Sequence, residues 1–421
     1  MALKKGLLIS IGTGVGDTPE SILNAISLSI SERNPNFIAF IVSDKSKKNA
    51  QIVCENLGID KKHYNFFEIS NPNDLDKCVK KTNEAVDWLL KQNLSSHQII
   101  ADFTSGTKPM SSAIVLVAFQ RNIGSLSYVQ GERIKGIVKK GTEQVMSFKP
   151  IISKIYSNIN EAYKSLKIYQ FDTASSIITE CQEFRDLLSE NRKNELDYLE
   201  NIIKAYHSWD LFKHHEAEKY FSKAETAFKK LEKNEFISLF PEKKTLKSLK
   251  ILGNFIYQNK KDKIIIADLL ANAKRRIKEG KYDDAMARLY RIFELVGQTI
   301  LFSKYGLNSS DLDLDKIRNL LGSKFEKWTS LLQRDPTDNK VKIGARKVYE
   351  LLNDLGHNVR KELESFKTLL AQRNNSILAH GLKPIEKETV EKLWEKIFDL
   401  CQKHFDNFEK TYQQLIFSWD Q

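Results

Sequence analysis

The sequence predicts an α/β domain built on a parallel sheet at the N-terminus, followed by an all-α connector and an all-α C-terminal domain. An apolar run at residues 6–11 leads into a glycine-rich turn, and a second unit of this kind spans residues 98–120. After Pro150 the strand-like runs stop, and apolar residues recur at helical spacing to the end of the chain. Alternating strands and helices are typical of a parallel sheet, whereas the later pattern is typical of packed helices.

The first unit is predicted as strand, turn, helix and strand. The run at 6–11 has the continuous apolar character of a buried strand, and a turn with three glycines at 12–16 follows it. A helix over 19–30 and a strand over 37–42 complete a βαβ unit. Basic residues precede the first run, but the run is too short for a signal peptide, and glycines arrive where its apolar region should continue.

The second unit carries a loop suited to an anion. A short apolar run at 99–101 precedes the loop, and Pro109 fixes φ at the start of the helix that follows it. The run at 113–119 has almost no polar residue, which predicts a helix buried on most sides. Free backbone N–H groups, hydroxyls and a lysine at such a helix start are typical of a phosphate site. The alternative is a capped helix start with a solvated lysine.

Both loops are predicted at the carboxyl edge of the sheet, where open parallel sheets bind their ligands. Two phosphate-binding loops on one edge predict a nucleotide, and Asp44, just after the second strand, can add a ribose or base contact. The spacing G-x-G-x-G departs from the dinucleotide fingerprint. The order of Gly106-Thr107-Lys108-Pro109 departs from the P-loop, so neither standard nucleotide motif fits.

The run Asp-Phe-Thr-Ser-Gly-Thr-Lys-Pro-Met-Ser after a strand, together with the Gly-Thr-Gly turn, resembles the CARF domain, the Rossmann-like sensor of cyclic oligoadenylates in type III CRISPR systems. The resemblance covers roughly residues 1–150. It implies ligand-binding roles for positions in both loops: Ser10, Gly12, Thr13, Gly14, Thr104, Ser105, Gly106, Thr107 and Lys108. It also implies a homodimer with a symmetric cyclic ligand across its two-fold axis, and it favours cyclic tetra-adenylate as the activator.

Composition agrees with a cytoplasmic protein. The 421 residues suffice for two or three domains, and no apolar stretch approaches the length that spans a bilayer. The cysteines are scattered and form no C-x-x-C pair, which argues against a disulfide framework or a zinc ribbon: Cys54, Cys78, Cys181 and Cys401. The net charge of +12 favours a polyanionic partner, although lysine-rich chains also gain solubility from such an excess.

The pattern after Pro150 predicts three domains in all: 1–150, 151–261 and 262–421. Three segments place an aromatic residue or a histidine three positions before an alanine, each at a predicted helix–turn–helix junction: 171–174, 214–217 and 282–285. They suggest a tetratricopeptide-like connector with irregular spacing. Lysine-rich stretches at 242–250 and 258–263 mark the boundary of the last domain. For these lysines a solvated surface is favoured over an approach surface for RNA.

Near the C-terminus, polar groups interrupt an apolar helix face. The face runs through Val359, Leu363, Phe366, Leu370 and Ile377. Arg373 and His380 continue the same stripe, and Gly381 then ends the helix. Such a pair suits metal-free cleavage of RNA, in which a 2′-hydroxyl attacks the adjacent phosphate. Histidine transfers the protons near neutral pH, and arginine stabilises the added negative charge.

The pattern Arg-Asn-x5-His-Gly at the end of a helix resembles the HEPN ribonucleases, over roughly residues 262–421. The resemblance implies that Arg373 and His380 are catalytic with Asn374 beside them, and that two copies form one composite site. It implies single-stranded RNA as substrate, a 2′,3′-cyclic phosphate product, and neither a metal nor a cofactor. The commonest spacing has four intervening residues, whereas this chain has six.

The two resemblances together predict a cyclic oligoadenylate-activated endoribonuclease in CRISPR antiviral defence. A non-catalytic sensor or scaffold with a dimerising helical domain is the first alternative. An NAD-dependent oxidoreductase, using the same N-terminal loops and Asp44, is the second.

Overall fold

The computed structural model divides into two compact units. The first comprises Met1–Ile159 with Phe184–Leu188, and the second comprises Asn160–Glu183 with Ser189–Gln421. The residues that the structure describes are 4–14, 20–134, 137–139, 141–231, 235–360, 362–364, 366–367, 371 and 382–420.

A six-stranded sheet forms the centre of the first unit. The strands of the whole unit, including two outside this sheet, are β1 (Gly6–Ser10), β2 (Phe37–Ser43), β3 (Tyr64–Ile69), β4 (Ile99–Asp102), β5 (Ser125–Gln130), β6 (Arg133–Ile134), β7 (Ile137–Val138) and β8 (Gln144–Phe148). The sheet order is β3-β2-β1-β4-β5-β8, and only the edge pair β5–β8 is antiparallel. Strands β6 and β7 form a separate antiparallel pair. The predicted parallel sheet is confirmed, with one antiparallel strand added at its edge.

Helices cover both faces of this sheet. They are α1 (Glu20–Arg33), α2 (Asp44–Asn56), α3 (Leu75–Leu90) and α4 (Lys108–Gln120). Helices α1 and α2 pack on Leu7 and Ile9, whereas α3 and α4 pack on Leu8 from the opposite face. Successive side chains of a strand point to opposite faces, so β1 is apolar throughout because both of its faces are buried.

Helix α4 matches the prediction made for it. Thr107 caps its N-terminus and Pro109 lies in its first turn. Met110, Ala113 and Val117 are buried against the sheet, while Leu116 on the opposite side is 43% exposed.

The second unit is helical. Helix α5 (Pro150–Lys167) begins in the first unit and ends in the second. The helices that follow are α6 (Phe171–Gln182), α7 (Glu190–Asp210), α8 (His214–Phe228), α9 (Lys243–Tyr257), α10 (Lys263–Lys278), α11 (Tyr282–Tyr305), α12 (Leu314–Leu321), α13 (Glu326–Thr329), α14 (Ala345–Asp354), α15 (Lys387–His404) and α16 (Phe408–Gln413). In the described part of this unit, β structure is limited to isolated bridges. The change from α/β to all-α near Pro150 is therefore as predicted.

The three predicted helix–turn–helix junctions share one backbone geometry. Each turn contains a residue with positive φ: Tyr169 at 63°, Phe212 at 60° and Gly280 at 74°. Two residues later α6, α8 and α11 begin. The alanines of the sequence pattern are fully buried one turn into these helices: Ala174, Ala217 and Ala285. A small residue at this position lets the second helix pack closely on its neighbour.

A buried network of charged groups joins α7 to α10. Asp210 is 5% exposed and accepts hydrogen bonds from Arg275 Nε at 2.7 Å and from an Arg276 guanidinium nitrogen at 2.6 Å. Asn272 also donates to the same carboxylate, at 3.0 Å. A second buried carboxylate, Asp268, accepts from Trp209 Nε1 at 2.7 Å. Buried charges persist only when they are paired in this way.

The four cysteines are free and buried. Burial raises the pKa of the Cys54 thiol to about 12, and burial also raises the pKa values of Cys78 and Cys401. None of the described helices is both long and apolar enough to cross a bilayer.

Removing the Asp210 carboxylate tests the buried network. We expect Asp210→Asn to lower the free energy of unfolding by about 3–5 kcal/mol, because Arg275 and Arg276 then lose their shared anionic partner in the interior. The measurement is urea unfolding followed by tryptophan fluorescence. Asp315→Asn is the matched control, because Asp315 pairs with Arg318 at 3.3 Å on the surface and should contribute less than about 1 kcal/mol. Equal effects of the two variants would contradict the assignment.

Candidate functional site

The loops after β1 and β4 lie against each other at the carboxyl edge of the sheet. Strands β1 and β4 are neighbours, and the helices that follow them lie on opposite faces. This divergence opens a crevice between the two strand ends, which is where open α/β sheets bind ligands. The two loops predicted from sequence therefore meet at the switch point of the sheet.

Two serines hold these loops together. Ser10 Oγ donates a hydrogen bond to the carbonyl oxygen of Ser105. In return, Ser105 Oγ donates to the carbonyl oxygen of Ser10 at 2.7 Å and accepts from Gly12 N at 3.2 Å. Both serines are buried, at 0% and 6% exposure. Their hydroxyls thus join the loops, and the loop backbone forms the surface of the crevice.

Two glycines allow the loops to come this close. A Cβ placed on Gly12 would lie 2.9 Å from the backbone nitrogen of Gly106, which is closer than real Cβ contacts. Gly106 has a φ of 104°, and a Cβ there would lie 3.2 Å from Met110 Cβ. Gly14 also has positive φ, at 94°. Glycine is the residue that tolerates both the contact and these dihedral angles.

Hydrogen bonds to the Asp102 side chain hold the loop after β4 in place. This side chain is fully buried and accepts from Ser29 Oγ at 2.6 Å, from Ser127 Oγ at 2.8 Å and from Thr104 N at 2.9 Å. A carboxylate that accepts several hydrogen bonds fixes the position of its donors. Asp102 was not predicted from the sequence to have a role at this site. The feature that could have indicated it is a carboxylate at the end of an otherwise apolar strand.

The β1 loop is anchored from the side by Asn49, which the sequence prediction also missed. Its Nδ2 donates to the carbonyl oxygens of Gly12 at 3.0 Å and Thr13 at 3.5 Å. Asn49 lies on the buried face of α2 beside Ala50 and Val53. A polar residue on that face is the signal that could have indicated it.

Of the remaining predicted ligand residues, two threonines make hydrogen bonds within the protein and the others are exposed to solvent. Thr104 Oγ1 accepts from Val129 N at 2.9 Å, and Thr107 Oγ1 donates to the carbonyl oxygen of Pro72. Thr13 and Lys108, one in each loop, are exposed. Asp44 is exposed in the first turn of α2, which starts at the end of the neighbouring strand β2. Backbone N–H groups, hydroxyls and one lysine around a crevice can hold a phosphodiester.

The predicted pair Arg373 and His380, with Asn374, lies outside the described residues. The described part of the helix face that leads to them is packed as predicted, since Val359, Leu363 and Phe366 are buried. The Phe366 ring stacks on Phe293 with the ring centroids 4.4 Å apart.

Helix α11 carries an ion pair on its surface, in which Glu294 accepts a hydrogen bond from Arg291 at 3.0 Å. In the part of the chain that the structure describes, there is no cluster of three or more metal-binding side chains.

The fold defines a class of protein, a Rossmann-like α/β domain followed by an all-α module. Residues 169–255 match the family model described as the Csm6 6H domain, and residues 256–404 match that of the Csm6 HEPN domain. The matched segments are contiguous and cover more than half of the chain. The chain belongs to the Csm6 family of CARF–HEPN effectors of type III CRISPR systems.

A solved structure agrees at the level of the fold. Enterococcus italicus Csm6 bound to cyclic hexa-2'-fluoro-hexa-dAMP is similar to this chain with a TM-score of 0.59 and 12% sequence identity, over 98% of each chain. Among curated proteins, none matches this chain.

Replacing Ser105 tests how the loops are held. We expect Ser105→Ala to lower the free energy of unfolding by roughly 1–3 kcal/mol, because it leaves the buried Ser10 carbonyl and the Gly12 N–H without their partner. The measurement is thermal and urea unfolding of the full chain. The control is Ser70→Ala, because Ser70 is exposed and should contribute little. If both variants unfold like the wild type, the two-serine contact does not stabilise the loops.

Proposed function

We propose that this chain is a cyclic oligoadenylate-activated, metal-independent endoribonuclease that cleaves single-stranded RNA in antiviral defence. The observation that carries the proposal is the position of Arg373, Asn374 and His380 inside the segment matched by the Csm6 HEPN domain. The crevice of the N-terminal unit supplies a place for the activator. The proposal includes the domain boundaries 1–150, 151–261 and 262–421.

In this proposal, the solvent-exposed groups of the crevice bind the activator. Thr13 and Lys108 are exposed and can reach phosphate oxygens. The backbone of 13–14 and 105–107 supplies N–H groups, and Asp44 can accept from a ribose hydroxyl or a base amine. The buried residues Ser10 and Ser105 position this surface. Cyclic tetra-adenylate is the activator that the resemblance to CARF domains favours, and cyclic hexa-adenylate is the natural comparison because the E. italicus protein holds a hexameric analogue.

The chemistry is assigned to the Arg373, Asn374 and His380 group. The 2′-hydroxyl of one nucleotide attacks its own 3′-phosphate, and the bond to the next 5′-oxygen breaks. His380 transfers a proton in this exchange, from the attacking oxygen or to the leaving oxygen. Arg373 stabilises the charge that builds on the phosphorane oxygens, and Asn374 adds a hydrogen bond. The products are a 2′,3′-cyclic phosphate and a 5′-hydroxyl.

Activation follows from differential binding. A ligand shifts an equilibrium between two arrangements only by binding one of them more tightly. In a homodimer, a cyclic ligand with two-fold symmetry contacts two copies of the crevice at once. We propose that the ligand favours the arrangement in which two copies of Arg373 and His380 complete one site. A cytoplasmic location agrees with this role.

RNA cleavage in EDTA tests the proposed function. We expect wild type to cut fluorescent single-stranded RNA when cyclic tetra- or hexa-adenylate is added, and His380→Ala to cut at least 100-fold more slowly, because a general acid or base contributes about 10²–10⁴-fold. The measurement is the cleavage rate on a denaturing gel. His215→Ala is the matched control, because His215 is exposed on α8 and should leave the rate unchanged.

The other outcomes separate the alternatives. Ligand binding without cutting by the wild type would favour the non-catalytic sensor. Cutting that persists in His380→Ala would remove His380 from the mechanism, and cutting that stops in EDTA would contradict metal independence.

A glycine substitution tests the position of the activator. We expect Gly12→Ala to weaken binding of cyclic oligoadenylate by tenfold or more, because its Cβ forces Gly106 and the β4 loop away. The measurement is titration calorimetry of the full chain. The control is Gly58→Ala, which places a Cβ in open space at a φ of 62° and costs about 1 kcal/mol of stability without touching the crevice. Equal affinities for Gly12→Ala and wild type would place the ligand elsewhere.

A further inference from the structure

Helix α9 carries an exposed basic stripe. Its 15 residues include four lysines and no acidic residue. Lys243, Lys247 and Lys250 follow one another at steps of four and three residues, so they lie on one face of the helix, and Tyr257 ends the same row. All four side chains are exposed. We call this row, Lys243, Lys247, Lys250 and Tyr257, the α9 stripe.

The lysines of the α9 stripe lack the ion pairs that other helices use. Lys229 on α8 lies 3.2 Å from Glu225, and Lys387 on α15 lies 3.9 Å from Glu391. Among the described residues, by contrast, no carboxylate lies within ion-pair distance of Lys243, Lys247 or Lys250. Their positive charges are therefore directed to solvent and are not compensated locally.

Tyr257 is unusual in its exposure. It is 85% exposed, although an aromatic ring of this size ordinarily gains by burial. A flat ring at the end of a row of lysines is the combination with which proteins bind single-stranded nucleic acid. The cations contact the phosphates, and the ring stacks on a base.

A cleft of about 270 Å³ lies just beyond Tyr257. Its charged lining comprises Lys260, Lys261 and Arg291 together with the carboxylates Asp262 and Asp268, and its apolar lining includes Phe212 and Leu269. Burial, and secondarily the charge of Arg291, lowers the pKa of Lys261. The cleft thus adds an apolar wall and further cationic side chains near the C-terminal end of α9.

We propose that the α9 stripe and this cleft form a binding surface for the single-stranded RNA substrate, with phosphates on the lysines and a base on Tyr257. The proposal rests on the proposed function, because it takes RNA as the substrate. The surface lies on the connector and at its end, and it would bind RNA in addition to the Arg373 and His380 site.

The test compares two triple variants of the full chain. The first is Lys243→Gln/Lys247→Gln/Lys250→Gln. The matched control is Lys387→Gln/Lys392→Gln/Lys396→Gln, which removes three exposed lysines from helix α15. Binding is measured by fluorescence anisotropy with a 2′-O-methyl single-stranded RNA, which cannot be cut by 2′-hydroxyl attack. Each titration is repeated at several salt concentrations, and cleavage of unmodified RNA is measured in parallel.

We expect the α9 variant to bind RNA at least tenfold more weakly than the control. Its plot of log affinity against log salt should be flatter by about two units, since each phosphate contact to a single strand contributes roughly 0.7. Cyclic oligoadenylate binding should be unchanged. Tyr257→Ala should weaken binding several-fold and Tyr257→Phe should not, because phenylalanine keeps the stacking face.

The outcomes separate this proposal from the proposed function. If wild type cuts RNA on activation and the two triple variants bind RNA equally, the α9 proposal is wrong and the ribonuclease stands. If wild type neither binds nor cuts RNA, both are wrong. If the α9 variant binds RNA more weakly but its RNA affinity depends on salt as that of the control does, these lysines do not contact phosphates.

Discussion

The loops after β1 and β4 can meet only because Gly12 has no side chain at their contact and Gly106 adopts positive φ. This steric condition lets Ser10 and Ser105 exchange hydrogen bonds across the sheet edge. Asp102 then holds the loop after β4 through hydrogen bonds, and Asn49 holds the loop after β1. These contacts fix the backbone of the two loops, and Thr13 and Lys108 remain exposed. A preorganised site loses less entropy when a ligand binds.

The helical unit is organised by two kinds of contact, one local in sequence and one between distant segments. Its repeated turns depend on a residue with positive φ and a buried alanine, which are local features, and they set the path of successive helices. Its connection between α7 and α10 depends on Asp210 and its two arginines, which are 65 and 66 residues away in the chain. Such pairs are costly to break, and they hold neighbouring helices in one relative placement.

Local chemistry explains which parts of the structure could be predicted. The positions of β1, α1, β2, β4 and α4, and the starts of α6, α8 and α11, follow from periodicity and turn residues within a few positions. The antiparallel edge strand β8 and the partners of Asp210 depend on contacts between distant segments, which periodicity does not encode. The loop residues of the candidate site could be named from sequence. Which of them face inward could not, because Ser10 turns inward to a partner 95 residues away. The assignment of Arg373, Asn374 and His380 stays a prediction.

The buried cysteines have a practical consequence for observing this protein at work. Alkylating reagents react with exposed thiolates, and burial keeps Cys54, Cys78 and Cys401 in the protonated form. Cys181 is also buried. A cysteine introduced on the surface would therefore be the fast-reacting thiol of the folded chain. Pairs of dyes or spin labels can be attached at chosen points without first removing the native cysteines, and the response of each unit to a ligand can be followed as a distance.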